Sequence, residues 1–469
     1  MSNTTELNDL GTDALSGVPT TPENTRTLYK ALMTLAVPIM GANLMQMLYN
    51  LADTFFLGRI GAAAVNAPII SFNLIFFLAV FGVGFGTAGT TLIAQSKGKG
   101  DQERVEFYLG QLAVFIFGIA FLVGIVGLLV HEPLLRLLNV PDESFEYTRQ
   151  YLTITFAGIP FMFGAFFFQA AMQGIGDGVT PFLIQFSTVL FNIAIDPIFI
   201  FGWGPIPRME VAGAAYATII SKGIATVIGV YILARGRRGM RLRLSSMKPQ
   251  MESARLFVGI GMPASLGQGI SAFGFTVLQG VVNSFGASVV AAFGVANRII
   301  SLVNMPAIGM SRATASLVGQ SLGARDPERA KRIVRMSGLT IFGFVGIGMI
   351  FAFFYGNLLV RFFVDDAEVI GHGAILFRIV SPSVVLFALF TVILGAFEGG
   401  GDTKPVLVMH AARLWGIRVP LAVLLAVRMG MGPTGIWISM FVSNLVIAVA
   451  GFLLLRTERW MHKIDPDKL

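Results

Sequence analysis

Residues 92–104, LIAQSKGKGDQER, recur as LVGQSLGARDPER at residues 317–329, 225 positions later in a chain of 469. The same offset relates Pro38 to Pro263, and the Gly-Asp pair of GIGDGVTP (Gly176, Asp177) to that of GGGDTKP (Gly401, Asp402). A one-residue gap then aligns Pro181 with Pro405, and at an offset of 222 VAGAAYATIIS (211–221) matches PTGIWISMFVS (433–443), glycine to glycine and serine to serine. The chain is therefore two copies of one unit. In each copy the motif reads as a turn and a helix start, with Asp101 or Asp326 as N-cap and a glutamate close behind. On that reading the motifs place helices and carry no chemistry of their own.

What surrounds them sets the solvent. Hydrophobic residues make up 55% of the chain and charged ones 13%, with a mean hydropathy of +0.74, well above a soluble domain. Apolar stretches able to cross a hydrocarbon core of about 30 Å recur near 31–57, 63–94, 106–130, 146–171, 179–203 and 211–234. A second set follows near 254–283, 288–318, 333–356, 369–396, 404–427 and 434–455. The expected fold is an all-α polytopic membrane protein of twelve transmembrane helices. It divides into a tail (1–29), an N-lobe (30–235), a basic linker (236–252), a C-lobe (253–456) and a C-terminal tail (457–469).

Of 34 Lys and Arg residues, 22 fall on the side of the termini, 6 on the opposite side and 6 within or beside helices. That bias places both termini in the cytoplasm and the chain in the cell's inner (plasma) membrane. The first thirty residues contain no apolar signal-peptide core. Because each repeat holds an even number of helices, the lobes are related by an axis along the membrane normal, and a cavity between them is the expected site of alternating access. The net charge of +8 reads as basic loops facing anionic lipid, with no nucleic-acid partner. Cysteine is absent and the four histidines have no metal-ligand spacing. No cofactor is expected, and one chain holds a complete cleft, so a monomer suffices.

Ionisable groups inside such helices cost free energy and point to function. Asp53, in YNLADTFFLG, and Asp196, in VLFNIAIDPIFIFGWG, lie at similar depth in the first and fifth helices, toward the end away from the termini. Gln46, Tyr49 and Asn50 share the helical face of Asp53; Asn192 lies one turn before Asp196. Thr218 in the sixth helix adds a hydroxyl. Burial favours a neutral carboxyl while oxygen ligands favour a cation, so the cluster suits a proton or a sodium ion. For sodium, the ligands would be Asp53, Asn192, Asp196 and Thr218. The alternative is a static polar cluster that holds helices together. Pro38 lies fifteen residues before Asp53 and Pro197 directly follows Asp196. Each removes a backbone hydrogen bond, which makes Pro38 a candidate hinge.

The second lobe differs. Leu278 stands opposite Asp53 in the repeat, and the seventh helix holds Gln268 and Gln279 but no acid within its span. Arg413 and Arg418 either line the cleft and bind an anion, or snorkel and pair structurally. Forty-one Phe and 21 Met suit a pocket for varied apolar cations, although such stripes more often face lipid or core.

Three local matches, YNLADTFFLG, LIAQSKGKGD with LVGQSLGARD, and QGIGDGVTP with EGGGDTKP, resemble the MATE (multidrug and toxic compound extrusion) family over about residues 28–456. The resemblance implies a V-shaped pair of six-helix lobes and cation-driven efflux of drugs or metabolites. It is closest to the DinF-like and archaeal branch, which would make Asp53, Asn192 and Asp196 the coupling centre. Gln46, Tyr49 and Thr218 would surround them, and Tyr151 and Gln169 would face the same cavity. Gln169 stands where that branch leads us to expect asparagine. The expected function is antiport of H+ or Na+ against a lipophilic, often cationic drug or xenobiotic, in contact with membrane lipids. The competing readings are export or flipping of a lipid-linked precursor or other amphipathic metabolite, which requires working arginines in the cleft, and an intramembrane enzyme, which the scattered histidines disfavour.

Overall fold

In a lipid core every backbone N–H and C=O needs an internal partner, so apolar runs of this length form continuous helices. The computed structural model describes residues 24–464 and contains twelve helices long and apolar enough to span a bilayer. In the first half these are α1 (Thr25–Gly58), α2 (Ala62–Lys99), α3 (Gln102–Leu137), α4 (Asp142–Gly174), α5 (Val179–Phe201) and α6 (Glu210–Ala234). In the second they are α7 (Met251–Asn283), α8 (Ala287–Gly323), α9 (Pro327–Arg361), α10 (Ala367–Gly400), α11 (Thr403–Arg428) and α12 (Pro433–Arg456). Except where the linker joins α6 to α7, short connections make successive helices antiparallel. Residues 24 and 464 thus emerge on one side, here termed the terminal side.

The helix starts follow the capping chemistry read from the repeat. Asp101 accepts from the Arg104 amide at 3.0 Å and Asp326 from the Arg329 amide at 2.8 Å. Gly176 and Gly401 both take left-handed backbone, at φ 87° and 77°. That conformation, cheap only without a Cβ, turns the chain from α4 into α5 and from α10 into α11. The basic linker is held against α3: Gln111 Nε2 donates to the carbonyls of Ser246 (2.8 Å) and Lys248 (2.7 Å), and Arg243 pairs with Glu106 at 2.7 Å.

Each lobe has its own apolar core, but the first helix of each repeat belongs to both. On the terminal side Leu28, Leu32, Leu35, Ala36 and Ile39 of α1 join the C-lobe core, while Leu57 at its far end packs with α5 and α6. Symmetrically, Phe257 and Ile260 of α7 join the N-lobe core, while Leu278 and Val282 stay in the C-lobe. Pro38 and Pro263 lie beside these crossover points.

The lobes converge on the terminal side through paired contacts. Gln95 Nε2 donates to Gly399 O at 3.0 Å and its repeat mate Gln320 to Gly174 O at 3.1 Å. Thr91 Oγ1 donates to Glu398 O at 2.7 Å, and its mate Ser316 donates to Gln173 O. Gly98 lies against the Gln320 carbonyl and Gly323 against the Gln95 carbonyl, where a Cβ would collide with backbone. The motifs therefore do more than cap helices: they form a two-fold seam that closes the cleft on this side. Farther out the contacts continue through Gly309 against Met40 and Gly84 against Ser265. An apolar cavity of about 440 Å³ between α2, α7 and α11 follows, lined by Phe77, Phe81, Phe273 and Trp415 among others. Beyond it the lobes part, giving the V and its cleft.

Candidate functional site

Asp53 and Asp196 face each other across the α1–α5 contact, their carboxyl groups within hydrogen-bonding reach. The spacing along each helix sets this up. Asp53 lies little more than a turn before α1 ends at Gly58, and Asp196 a similar distance before α5 ends at Phe201, so two parallel helices carry them to one depth. Asp53 is 7% exposed and Asp196 fully buried. Asn192 Nδ2 donates to Asp196 Oδ1 at 3.3 Å. The Tyr49 hydroxyl bonds Thr218 Oγ1, which itself donates to Ala214 O at 2.9 Å, and Tyr49 also reaches Asp53. Tyr151 of α4 is close enough to interact with both carboxyls.

The cluster is rich in acceptors and short of donors. Asp53 Oδ1, Asn192 Oδ1 and Asp196 Oδ2 are buried with no hydrogen-bond partner. Ionised carboxylates only accept hydrogen bonds, and two at such separation repel unless a cation lies between them. A shared proton or an oxygen-coordinated sodium ion meets that need; a static structural cluster would be expected to satisfy its buried oxygens with protein donors. Among the described residues no group of three or more His, Cys, Asp or Glu is arranged to hold a metal ion, so a sodium site here would depend on the neutral oxygens of Asn192, Thr218 or Tyr49.

Toward the terminal side the polar track continues. Gln46 Oε1 accepts from Gln185 Nε2 at 3.2 Å and from Lys222 Nζ at 3.3 Å, while its amide reaches Asn50 Oδ1 at 3.4 Å. The Lys222 ammonium lies 5.9 Å from the centre of the Tyr49 ring. Gln185 and Lys222 are site residues that the sequence reading left out. A signal was present, since Lys222 is one turn beyond Thr218 and on its face. Gln169 is different: it is on α4 with Tyr151 but lies ~27 Å farther toward the terminal side at 1.5 Å per residue, and it makes no contact with the carboxyls among those described. α1 runs on through Pro38 as one helix, lacking only the bond that a Pro38 N–H would make; Pro38 stands beside Ile39, where α1 passes from one lobe's core to the other's.

Among the described residues the second lobe holds no acid pair at the matching place, where Leu278 stands opposite Asp53. Arg413 and Arg418 are buried inside it, at 5% and 2% exposure, and neither opens to the cleft or snorkels to the interface. Arg418 donates from Nε to Ser443 Oγ at 2.8 Å and from Nη2 to Asn444 Oδ1 at 2.6 Å.

A family model, MatE, matches residues 38–198 and again 263–424, one match in each lobe. The chain is 29% identical over 432 residues to the "Probable multidrug resistance protein YpnP" of Bacillus subtilis (strain 168), spanning 92% of this chain and 95% of that protein. It is 25% identical over 406 residues to a protein of Shewanella oneidensis named "FAD transporter", spanning 87% and 89%. The fold is that of a MOP superfamily transporter from Pyrococcus furiosus, with a TM-score of 0.86, 24% identity, and coverage of 95% of this chain and 100% of that one. Matched in both halves over more than two thirds of its length, the protein belongs to the MatE family, whose members are membrane transporters and not enzymes.

Proposed function

We propose that the protein is a secondary antiporter that exports lipophilic, often cationic compounds in exchange for H+ or Na+, with the coupling site in the N-lobe at Asp53 and Asp196. The observation that carries this reading is the apposed carboxyl pair with its unpartnered buried oxygens. Both termini and the seam lie in the cytoplasm, following the charge bias of the loops, and the cleft opens outward from the inner membrane. One chain supplies the whole path, so the working unit is a monomer.

A cation between Asp53 and Asp196 draws the far half of α1 toward α5; its release lets them separate. Because the near half of α1 is seated in the C-lobe core, that movement is transmitted across the seam, with Pro38 as the pivot. Thr34, one turn before Pro38, gains no N–H partner there, so bending costs little. Loading the coupling cation and holding the exported compound thus compete for one helix, which is the requirement for exchange. Each charge moved inward across 100 mV supplies about 2.3 kcal/mol.

The test is efflux from proteoliposomes under imposed pH or Na+ gradients. Asp53→Asn and Asp196→Asn should each lower gradient-driven efflux at least ~100-fold, the lower end of what a positioned proton-transfer group contributes. Wild-type rates and unchanged ion dependence in both variants would sink the assignment. Lys222 favours a second reading: its ammonium, beside Gln46 on the polar track leading to the carboxyl pair, suits an amphipathic metabolite with an anionic group, as does the name of the Shewanella oneidensis relative. Competition between such a metabolite and a cationic dye for efflux separates the two. The lipid-precursor reading is weaker because it needs Arg413 and Arg418 in the cleft, and both are enclosed.

A further inference from the structure

Arg413 and Arg418 are two positive charges in the interior of the C-lobe that no carboxylate answers. Among the described residues no carboxylate forms an ion pair with either, and Arg413 is near enough to Arg418 to repel it. Their partners are neutral. Arg418 is held by Ser443 and Asn444, and Asn444 Nδ2 donates onward to Ser383 Oγ at 3.2 Å. Arg413 lies over the Phe387 ring, 4.4 Å from its centre, and its buried Nε has no partner at all. Neutral dipoles satisfy hydrogen bonds without cancelling charge, and a buried ion without a counter-charge is strongly disfavoured.

The backbone is arranged to bring these charges together. From Ala412 to Arg418 the helix is π-helical, just before Pro420, which has no N–H to continue the α-helical ladder. In a π-helix residue i+5 closes the turn on residue i, so Arg413 and Arg418 stack on the same side. In an ordinary α-helix, at 3.6 residues per turn, they would point roughly 140° apart. Widened helix of this kind is uncommon and concentrates at functional sites.

The location matches the coupling site in the other lobe. Pro197 and Pro420 occupy corresponding points of α5 and α11, and each follows closely on a buried charge, Asp196 or Arg418. The sixth helix of the repeat supplies the hydroxyl partner in both cases, Thr218 beside the N-lobe cluster and Ser443 on Arg418. One lobe presents buried acids and the other buried bases.

We propose that the C-lobe binds a small inorganic anion of chloride's charge and size between Arg413 and Arg418. The ion neutralises the pair and fixes the π-helical turn. Its size follows from burial: Arg413 and Arg418 are only 5% and 2% exposed, which favours a small ion over a carboxylate or phosphate carried on a bulky solute or lipid.

The full-length protein, purified in gluconate, is titrated with chloride at constant ionic strength while its melting temperature is followed. A saturable rise of about 2 °C or more is expected, with bromide giving the same rise and an anomalous-scattering peak beside Arg413 Nε. Arg413→Gln should lose the rise. If that variant does not fold, Arg413→Lys, which keeps the charge but loses the donor fork, should fold and show a weaker chloride dependence. Equal melting temperatures in chloride and gluconate would overturn the proposal, as would bromide found at surface positions alone, an adventitious ion only. A rise produced equally by large organic anions would overturn it as well, since ionic strength or a lipid-like headgroup would then explain the effect.

Discussion

At their terminal-side ends the two lobes are near copies of each other, whereas a few turns deeper they are opposites. Gln95 and Gln320 make the same bond to the same carbonyl of the partner lobe, and Gly98 and Gly323 meet the same backbone oxygen. In the interior, Asp53 and Asp196 stand in one lobe and Arg413 and Arg418 in the other, with Leu278 opposite Asp53. The contrast has a physical reason. Where two lobes must mate with each other about a two-fold axis, a substitution in one copy breaks a contact made by both. Away from the seam a lobe's interior has no such obligation, and the copies are free to take opposite charge.

Several variants break or sharpen that contrast. The largest effect is expected from the acids: Asp53→Asn with Asp196→Asn should lower coupled efflux no further than either change alone, because groups that act as one unit are not additive. Efflux rates of the two single variants and the double variant check this. Next come the seam glycines. Gly98→Val and Gly323→Val place carbon into the facing carbonyls of Gln320 and Gln95, which cannot retreat without moving a helix. Both should open the terminal side to an equal degree. The chain has no cysteine, so a single cysteine at Ala94 reports the opening as faster labelling by a water-soluble thiol reagent.

A smaller effect is expected at Lys222. Lys222→Met removes the positive charge beside Gln46 and should improve apparent affinity for a cationic substrate about 5-fold, the size of a partly screened pair interaction of ~1 kcal/mol. The same change should weaken binding of an anionic one, so substrate competition reads both signs. Least of all, Gln95→Ala and Gln320→Ala each delete one inter-lobe hydrogen bond worth about 1 kcal/mol. They should shift the labelling rate by similar, several-fold amounts, and a marked inequality between them would show that the seam is not symmetric in energy.

Much of this molecule is legible in its residues. The twelve spans follow from apolar length, and the pairing of Asp53 with Asp196 follows from their depth in two helices that run the same way. Asn192 and Tyr49 were legible for the same reason, since i−4 spacing fixes a shared face. Gln169 shows where that logic stops: Tyr151 and Gln169 belong to one helix, yet the length of α4 separates them along the membrane normal. Lys222 was hard to see because a single lysine in an apolar helix gives no indication of which neighbour it faces. Gln95 and Gln320 were visible as a repeated pair, but their acceptors, Gly399 and Gly174, belong to segments far off in the chain.

The sequence by itself determined that there are two copies of a six-helix unit, how deep each charged residue lies, and that acids occur in one lobe's helices and arginines in the other's. Periodicity and length carry those facts because a helix rises a fixed distance per residue. Only the tertiary structure decided that α1 and α7 each seat one half in the opposite lobe, that Lys222 reaches Gln46, and that a π-helical turn brings Arg413 and Arg418 to one side of α11. Those outcomes depend on how helices rotate and cross when their side chains interlock, and no spacing along a single helix records that.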